Sequence, residues 1–188
     1  FYPQELYQCG PAALATLLGA SGVQVTPEQL VPLVYVPERE GSFQVEMVAT
    51  TRSHGRLAYR IAPTLDALLS EVAAGHPVLV LQNLALDIYP RWHFAVVKGF
   101  DMERRKLILN SGLYEDYEIS TAVFARTWAR ADHWGVLALQ PGSMPAEPEA
   151  DARGNVRTAE PDPEGFLVAR VAGEAAAHQA AIPLVEQK

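Results

Sequence analysis

Residues 3–18 read PQELYQCGPAALATLL, and this run indicates a helix with a cysteine at its N-terminal end. Pro11 suits the first turn of a helix and Gly19 suits its end, with apolar side chains at helical spacing between them. The sequence therefore predicts a helix over 11–19, directly after Cys9. A thiol in that position lies at the positive end of the helix dipole, which favours the thiolate form.

Further helices are predicted before a set of strands. Thr26 opens a capping box, a third helix starts near Ser42 and ends at 54–55, and a fourth starts at Thr64 and ends at Gly75. Strands are then predicted at 77–81, 92–99, 106–109, 114–119 and 134–139, with a return helix at 121–131. Helices followed by antiparallel strands indicate an α+β domain with two lobes, in which N-terminal helices carry the Cys and a C-terminal sheet carries the His.

The composition separates a folded part from a tail. The chain has 188 residues, of which 49% are apolar, and this is enough for one globular domain. All Trp and Tyr residues lie within 1–140, whereas 141–188 are rich in Pro, Glu and Ala. We therefore expect the domain at 1–140 and a linker and tail at 141–188, with the density of Ala favouring a return to helix over 163–181.

Charge and cysteine usage narrow the function classes. The net charge is −7, and the only local basic run is Arg104-Arg105-Lys106, so nucleic acid is not an expected partner. No uncharged apolar stretch approaches the roughly 18 residues of a membrane span. The single cysteine excludes an intrachain disulfide and a thiolate zinc cluster, so no metal or cofactor is implied. Because the chain begins Phe1-Tyr2-Pro3 without Met, we expect a trimmed or processed N-terminus that has lost any targeting segment.

Cys9, His93 and Asn110 are the predicted catalytic residues. A lone cysteine is more often a small buried hydrophobe, and a histidine inside an apolar strand is as often a core residue bonded to the backbone. Asn110 ends the strand after that of His93, where its side-chain carbonyl could hold the imidazole with one nitrogen facing the thiol. A plain turn asparagine is the alternative reading of Asn110. Asp101 is a weaker candidate, since it lies in the hairpin turn.

The other candidate site residues surround this set. An acyl-transfer site needs donors to the oxyanion, and besides the Cys9 N–H the candidates are the side-chain amides of Gln4 and Gln8. We expect Gly10 and Trp92 to line the substrate cleft. The remaining histidines are better explained by helix caps, turns or solvent: His54, His76, His133 and His178.

Three stretches in this order resemble the bacteriocin-processing (double-glycine leader) peptidase family of the papain-like clan: PQELYQCGPAALATLL, RWHFAVVKGFD and LILNSG. The resemblance covers roughly residues 2–140 and is strongest to stand-alone bacterial relatives, some of which are envelope lipoproteins. It implies a papain-like fold with Cys9 as nucleophile, His93 as base and Asn110 as the residue that orients the imidazole. The family usually has Asp at the last position, and its oxyanion glutamine usually lies one position earlier than Gln4, where this chain has Pro3.

The implied activity is a cysteine peptidase that cleaves peptide bonds, with a small pair such as Gly-Gly before the cleaved bond. Two alternatives stay open: a Cys-dependent acyltransferase, and a catalytically silent papain-like module that binds peptides, with the tail as a docking segment for a protein partner. No GxxxxGK[ST] phosphate-binding loop is present, so an exporter role is not implied. The expected location is the periplasm or cell envelope, with the cytoplasm as the alternative.

Overall fold

The computed structural model describes residues 9–112, 114–146, 157–161 and 167–171 of the chain. Gln4 and Gln8 therefore lie outside the described residues. Within the described ranges, none of the helices is long and apolar enough to cross a bilayer.

The predicted helices are present, with small changes at their ends. They are α1 (Cys9–Ala20), α2 (Pro27–Val34), α3 (Gln44–Ser53), α4 (Leu65–Ala73) and α5 (Thr121–Ala129), with a short 3-10 helix at Pro37–Arg39. The capping box of α2 forms, since the Thr26 backbone N–H donates to Gln29 Oε1 at 2.9 Å. Thr64 caps α4 by accepting a hydrogen bond from the Ala67 N–H at 3.2 Å.

Six strands form one antiparallel sheet, and the α+β fold class is thereby confirmed. The strands are β1 (Leu57–Arg60), β2 (Val78–Asn83), β3 (Trp92–Asp101), β4 (Lys106–Ser111), β5 (Tyr114–Ser120) and β6 (Gly135–Leu139), in the spatial order β1-β6-β2-β3-β4-β5. All pairings are antiparallel. The sequence analysis missed β1, a four-residue strand that follows directly on the α3 turn.

The central strands are buried on both faces, and alternation divides their side chains between two cores. Leu79, Leu81, Phe94 and Val96 belong to the core that includes α1, whereas the second core packs against α4 and α5. The strand members of that second core include Val78, Val80, Ala95, Val97, Leu107 and Leu109. Successive residues of β3 therefore face α1 and α4/α5 in turn.

The tail contains two strands that the sequence analysis did not predict. The strands β7 (Arg157–Pro161) and β8 (Leu167–Val171) pair as an antiparallel hairpin. The second of them falls inside the 163–181 range. Its sequence, LVARV, has the branched residues and alternation of a strand, and the dense Ala run begins only after it. The remainder of that range lies outside the described residues.

Candidate active site

Cys9 is the first residue of α1 and lies against the start of β3. Its side chain is half-buried and packs at the edge of the core that includes Phe94. The Phe94 backbone makes a hydrogen bond to the thiol, as do the amides of Gly10 and of Cys9 itself. The helix α1 thus places the sulfur against the backbone of Phe94, the residue that follows His93 in the chain.

Burial raises the pKa of the Cys9 thiol above its ordinary value, and the three backbone hydrogen bonds offset only part of this effect. The sequence analysis expected the opposite direction from the helix dipole alone. The difference has a physical cause: the dipole and the backbone amides favour the thiolate, but removal of the sulfur from water penalises the charged form more strongly. In the structure, Cys9 is therefore a thiol at neutral pH.

His93 is the second residue of β3, and its side chain is half-buried. Burial lowers the pKa of His93 to about 4, and the positive charge of Arg91 adds to the shift. Ring nitrogen Nε2 lies 2.8 Å from Ser111 Oγ, at the end of β4. Nδ1 has no hydrogen-bonding partner among the described residues, so it is the nitrogen left for proton exchange.

The predicted contact between Asn110 and His93 is absent from the described residues. Asn110 Oδ1 instead accepts from the Asp116 N–H at 3.5 Å. Its side chain lines a cavity between the second half of α1 and strands β3 and β4, together with Thr16 and Lys98. Thr16 is about two helical turns from Cys9 along α1, so Asn110 lies well away from the sulfur.

A bulge in β3 explains this placement. On the hairpin side Gly99 pairs with Ile108, but beyond the bulge Val97 pairs with Leu109 and Val96 with Asn110. Asn110 therefore shares the α1 face with Val96, because side chains opposite each other lie on the same face. The same register places Ser111 opposite Ala95, on the face of His93. Without the extra residue Asn110 would be on that face, because a one-residue slip reverses every side chain.

The two predicted cleft residues differ in their surroundings. Trp92 directly precedes His93 and is 53% exposed, as a side chain that contacts substrate requires. Gly10 is buried, and a Cβ added there would lie 2.6 Å from Ser42 Cβ and closer still to Ser42 Oγ. The glycine is therefore needed for α1 to pack against the segment before α3, and the structure gives no evidence that substrate approaches it.

The competing polar residues have structural partners. Asp101 Oδ1 accepts from the Arg104 N–H at 2.8 Å and so closes the hairpin turn. His54 Nδ1 lies 2.8 Å from Thr50 O at the end of α3, His76 Nδ1 lies 2.8 Å from Glu71 Oε2, and the His133 ring packs edge-on against Trp128. His178 lies outside the described residues. Among the described histidines, only His93 is next in sequence to a residue whose backbone contacts the thiol.

Cys9 and His93 thus both lie at the junction of α1 and β3, the sulfur against the backbone of Phe94 and the imidazole on the preceding residue. Such a pair can carry out nucleophilic catalysis if the imidazole accepts the thiol proton as the sulfur attacks. Sequence reasoning missed Ser111 as the partner of the imidazole. The only sequence signal for Ser111 was its position next to Asn110. In a hairpin without a bulge, side-chain alternation would place Asn110, and not Ser111, on the face of His93.

Comparison with known proteins identifies the family. Residues 1–135 match the model of the Peptidase C39 like family. A search of curated proteins gave no significant match.

Solved structures of C39-type peptidases share the fold. A C39-peptidase-like protein from Bacillus anthracis aligns with a TM-score of 0.62 and 16% identity, over 74% of this chain and 94% of that chain. A double glycine motif protease from an AMS/PCAT transporter, solved with its leader peptide, aligns with a TM-score of 0.54 and 22% identity, over 73% and 87%. The peptidase domain of Streptococcus ComA aligns with a TM-score of 0.57 and 19% identity, over 73% and 96%.

The resemblance predicted from the three sequence stretches is thereby confirmed. The family match supports a peptidase function of the cysteine type. The chain belongs to the C39-like peptidase family.

Proposed function

We propose that this protein is a cysteine peptidase in which Cys9 is the nucleophile and His93 the general base. The observation that carries the proposal is the position of the sulfur: it starts α1 and receives a hydrogen bond from the backbone of Phe94, next to His93. A helix-borne thiol and a strand-borne imidazole are the two groups that hydrolysis of a peptide by a thiol requires.

The reaction starts from a neutral pair. As Cys9 Sγ attacks the peptide carbonyl, its proton passes to His93 Nδ1, and the imidazolium then protonates the leaving amine. The resulting thioester is hydrolysed by a water molecule that His93 deprotonates, and the thiol is regenerated. No hydrogen bond joins Sγ to the imidazole within the described ranges, and such bonds commonly tighten only when substrate is bound.

The tetrahedral intermediate needs donors to its oxyanion. Cys9 begins α1, where the first amides have no partner within the helix, and its N–H, which contacts the sulfur of its own residue, is the first donor in this proposal. Gln4 supplies the second donor in this proposal, with Gln8 as the alternative. The helix dipole adds a favourable field for the negative charge.

The substrate is a peptide, and the proposed cleavage point follows a small pair such as Gly-Gly. A family relative is described as a double glycine motif protease and was solved with a leader peptide, which motivates this choice. The exposed Trp92 beside His93 offers an aromatic surface to the peptide chain next to the cleaved bond.

The full chain should be incubated with two peptides that differ only at one internal pair, Gly-Gly or Leu-Leu, and the products identified by mass spectrometry. Cleavage directly after Gly-Gly, lost in Cys9→Ser and in His93→Ala, is the expected result. An added amine that becomes joined to the N-terminal fragment would favour the acyltransferase. Absence of any cleavage, with tight binding of the intact peptide, would favour the silent peptide-binding module.

A further inference from the structure

Ser111 is the one described residue that hydrogen-bonds to the imidazole of His93. Its Oγ lies 2.8 Å from Nε2, a normal length for a hydroxyl and a ring nitrogen. Ser111 is the last residue of β4 and is half-buried, and Gly112 follows it with φ +62. This left-handed conformation suits glycine and ends the strand at that point.

We propose that Ser111 is the positioning residue of the active site, and that it fixes the ring of His93 with Nδ1 available to Cys9. The proposal rests on the proposed peptidase function for its catalytic meaning, but the contact itself is a property of the fold. Asn110 is placed on the α1 face by the register, and Asp101 is engaged in the hairpin turn. Ser111 is therefore the remaining polar group from β4 on the face of His93.

A hydroxyl group positions an imidazole ring differently from a carboxylate or an amide. When Nε2 carries the proton, its N–H donates a hydrogen bond to Ser111 Oγ. Nδ1 then carries no proton and can act as the base. A carboxylate would also add a negative charge that stabilises the imidazolium, and Ser111 adds none. The low pKa of His93 agrees with this, since Arg91 is the charged group that acts on the ring and burial is otherwise uncompensated.

The first test places a charge at each of the two neighbouring positions and measures its effect on His93. The full chain carries nitrogen-15 histidine, the His93 ring signals are assigned with His93→Gln, and their titration gives the pKa. Ser111→Asp should raise the pKa of His93 by about one to three pH units, because the new carboxylate lies beside the ring. Asn110→Asp, the matched control, should raise it much less, because that side chain points to the opposite face.

A larger effect from Asn110→Asp, or no effect from Ser111→Asp, would overturn the proposal. If Ser111→Asp does not fold, smaller changes provide the same test: Ser111→Ala should move the Nε2 signal and Ser111→Thr should restore it. An Nε2 signal that is the same in Ser111→Ala and the parent would also overturn the proposal.

The second test uses turnover of the Gly-Gly peptide. Ser111→Ala should lower kcat by about tenfold to a hundredfold with KM nearly unchanged, because a displaced ring slows the proton transfer and not peptide binding. Ser111→Thr should recover most of the loss. An unchanged kcat in Ser111→Ala would contradict the positioning role. If the parent protein cleaves no peptide, the proposed function fails, while the titration of His93 still decides whether Ser111 holds the ring.

Discussion

The Cys9 thiol is subject to two opposing effects, the helix dipole and burial, and burial dominates. Because only the thiolate reacts with iodoacetamide, a raised pKa means that the alkylation rate should rise only above the ordinary thiol range, which centres near pH 8.5. We therefore expect slow alkylation at pH 7 and a steep increase in alkaline solution, measured by mass spectrometry over a series of pH values.

Cys9→Ser removes the only thiol and is the blank for this measurement. Free cysteine measured in parallel gives the reference curve. Alkylation of Cys9 that stays fast below the midpoint of free cysteine would show a stabilised thiolate, and hence a charged pair with His93 instead of the neutral pair described above.

At the scale of residues, the sequence singled out the two groups that we propose to react, but not the group that we propose to hold the imidazole. Cys9 and His93 could be identified because each stands in a distinctive local run, CGPA and WHFAVV. Ser111 could not, because its role depends on which face of β4 it occupies. That face depends on a bulge in another strand, which local patterns of apolar residues do not reveal.

At the scale of elements, the N-terminal turn of α1 depends on a glycine. Gly10→Ala should lower the free energy of unfolding by about 1–3 kcal/mol, because the added Cβ would overlap Ser42 and force α1 or the segment before α3 to move. Urea denaturation followed by tryptophan fluorescence measures the change. The displacement of α1 should also reduce peptide cleavage, since Cys9 is its first residue.

Gly19→Ala is the matched control, since Gly19 lies in the same helix and no atom approaches within 4 Å of its added Cβ. This change should stabilise the protein slightly, by about 0.5–1 kcal/mol. Pairing Gly10→Ala with Ser42→Gly should restore much of the lost stability. If Gly10→Ala is as stable as the parent protein, then the packing against Ser42 is not what requires a glycine.

The regular elements were largely predictable because their signals are local. Capping residues mark α2 and α4, and the apolar runs mark β2 and β3. The strand β1 was missed because four residues give too little alternation to recognise, and it is specified by pairing with β6, which is far away in sequence. The hairpin β7–β8 was missed because the Ala content of the tail dominated the interpretation.

At the scale of the molecule, a buried carboxylate joins the end of the domain to its middle. Glu71 in α4 is 1% exposed, and its Oε2 accepts from the Ala146 N–H at 3.0 Å and lies 2.8 Å from His76 Nδ1. Glu71→Ala should lower the free energy of unfolding by about 1–3 kcal/mol, because it removes the buried acceptor of both hydrogen bonds. The same urea titration measures this, and amide exchange at Ala146 should become faster.

The matched control is Glu118→Ala. Glu118 also pairs with two basic groups, Arg104 and Lys106, but Glu118 and Arg104 are exposed and Lys106 is partly exposed, so solvent screens the charges and stability should change little. Equal stability of Glu71→Ala and the parent protein would mean that the segment after β6 is held by other contacts, such as that of Gln140 Nε2 with Ser21 O.

The bulge at Lys98 also determines how a mutation can change the residue that lies beside the imidazole. Lys98 is paired with Asp116 at 2.6 Å, which ties the extra residue to β5. Loss of that single codon from a descendant gene would leave every side chain of the proposed site in the protein and yet exchange the hydroxyl beside the imidazole for an amide. With Asn110 and Ser111 adjacent in β4, the length of β3 determines which of them lies beside the imidazole, so a deletion can alter the chemistry of the site as surely as a substitution.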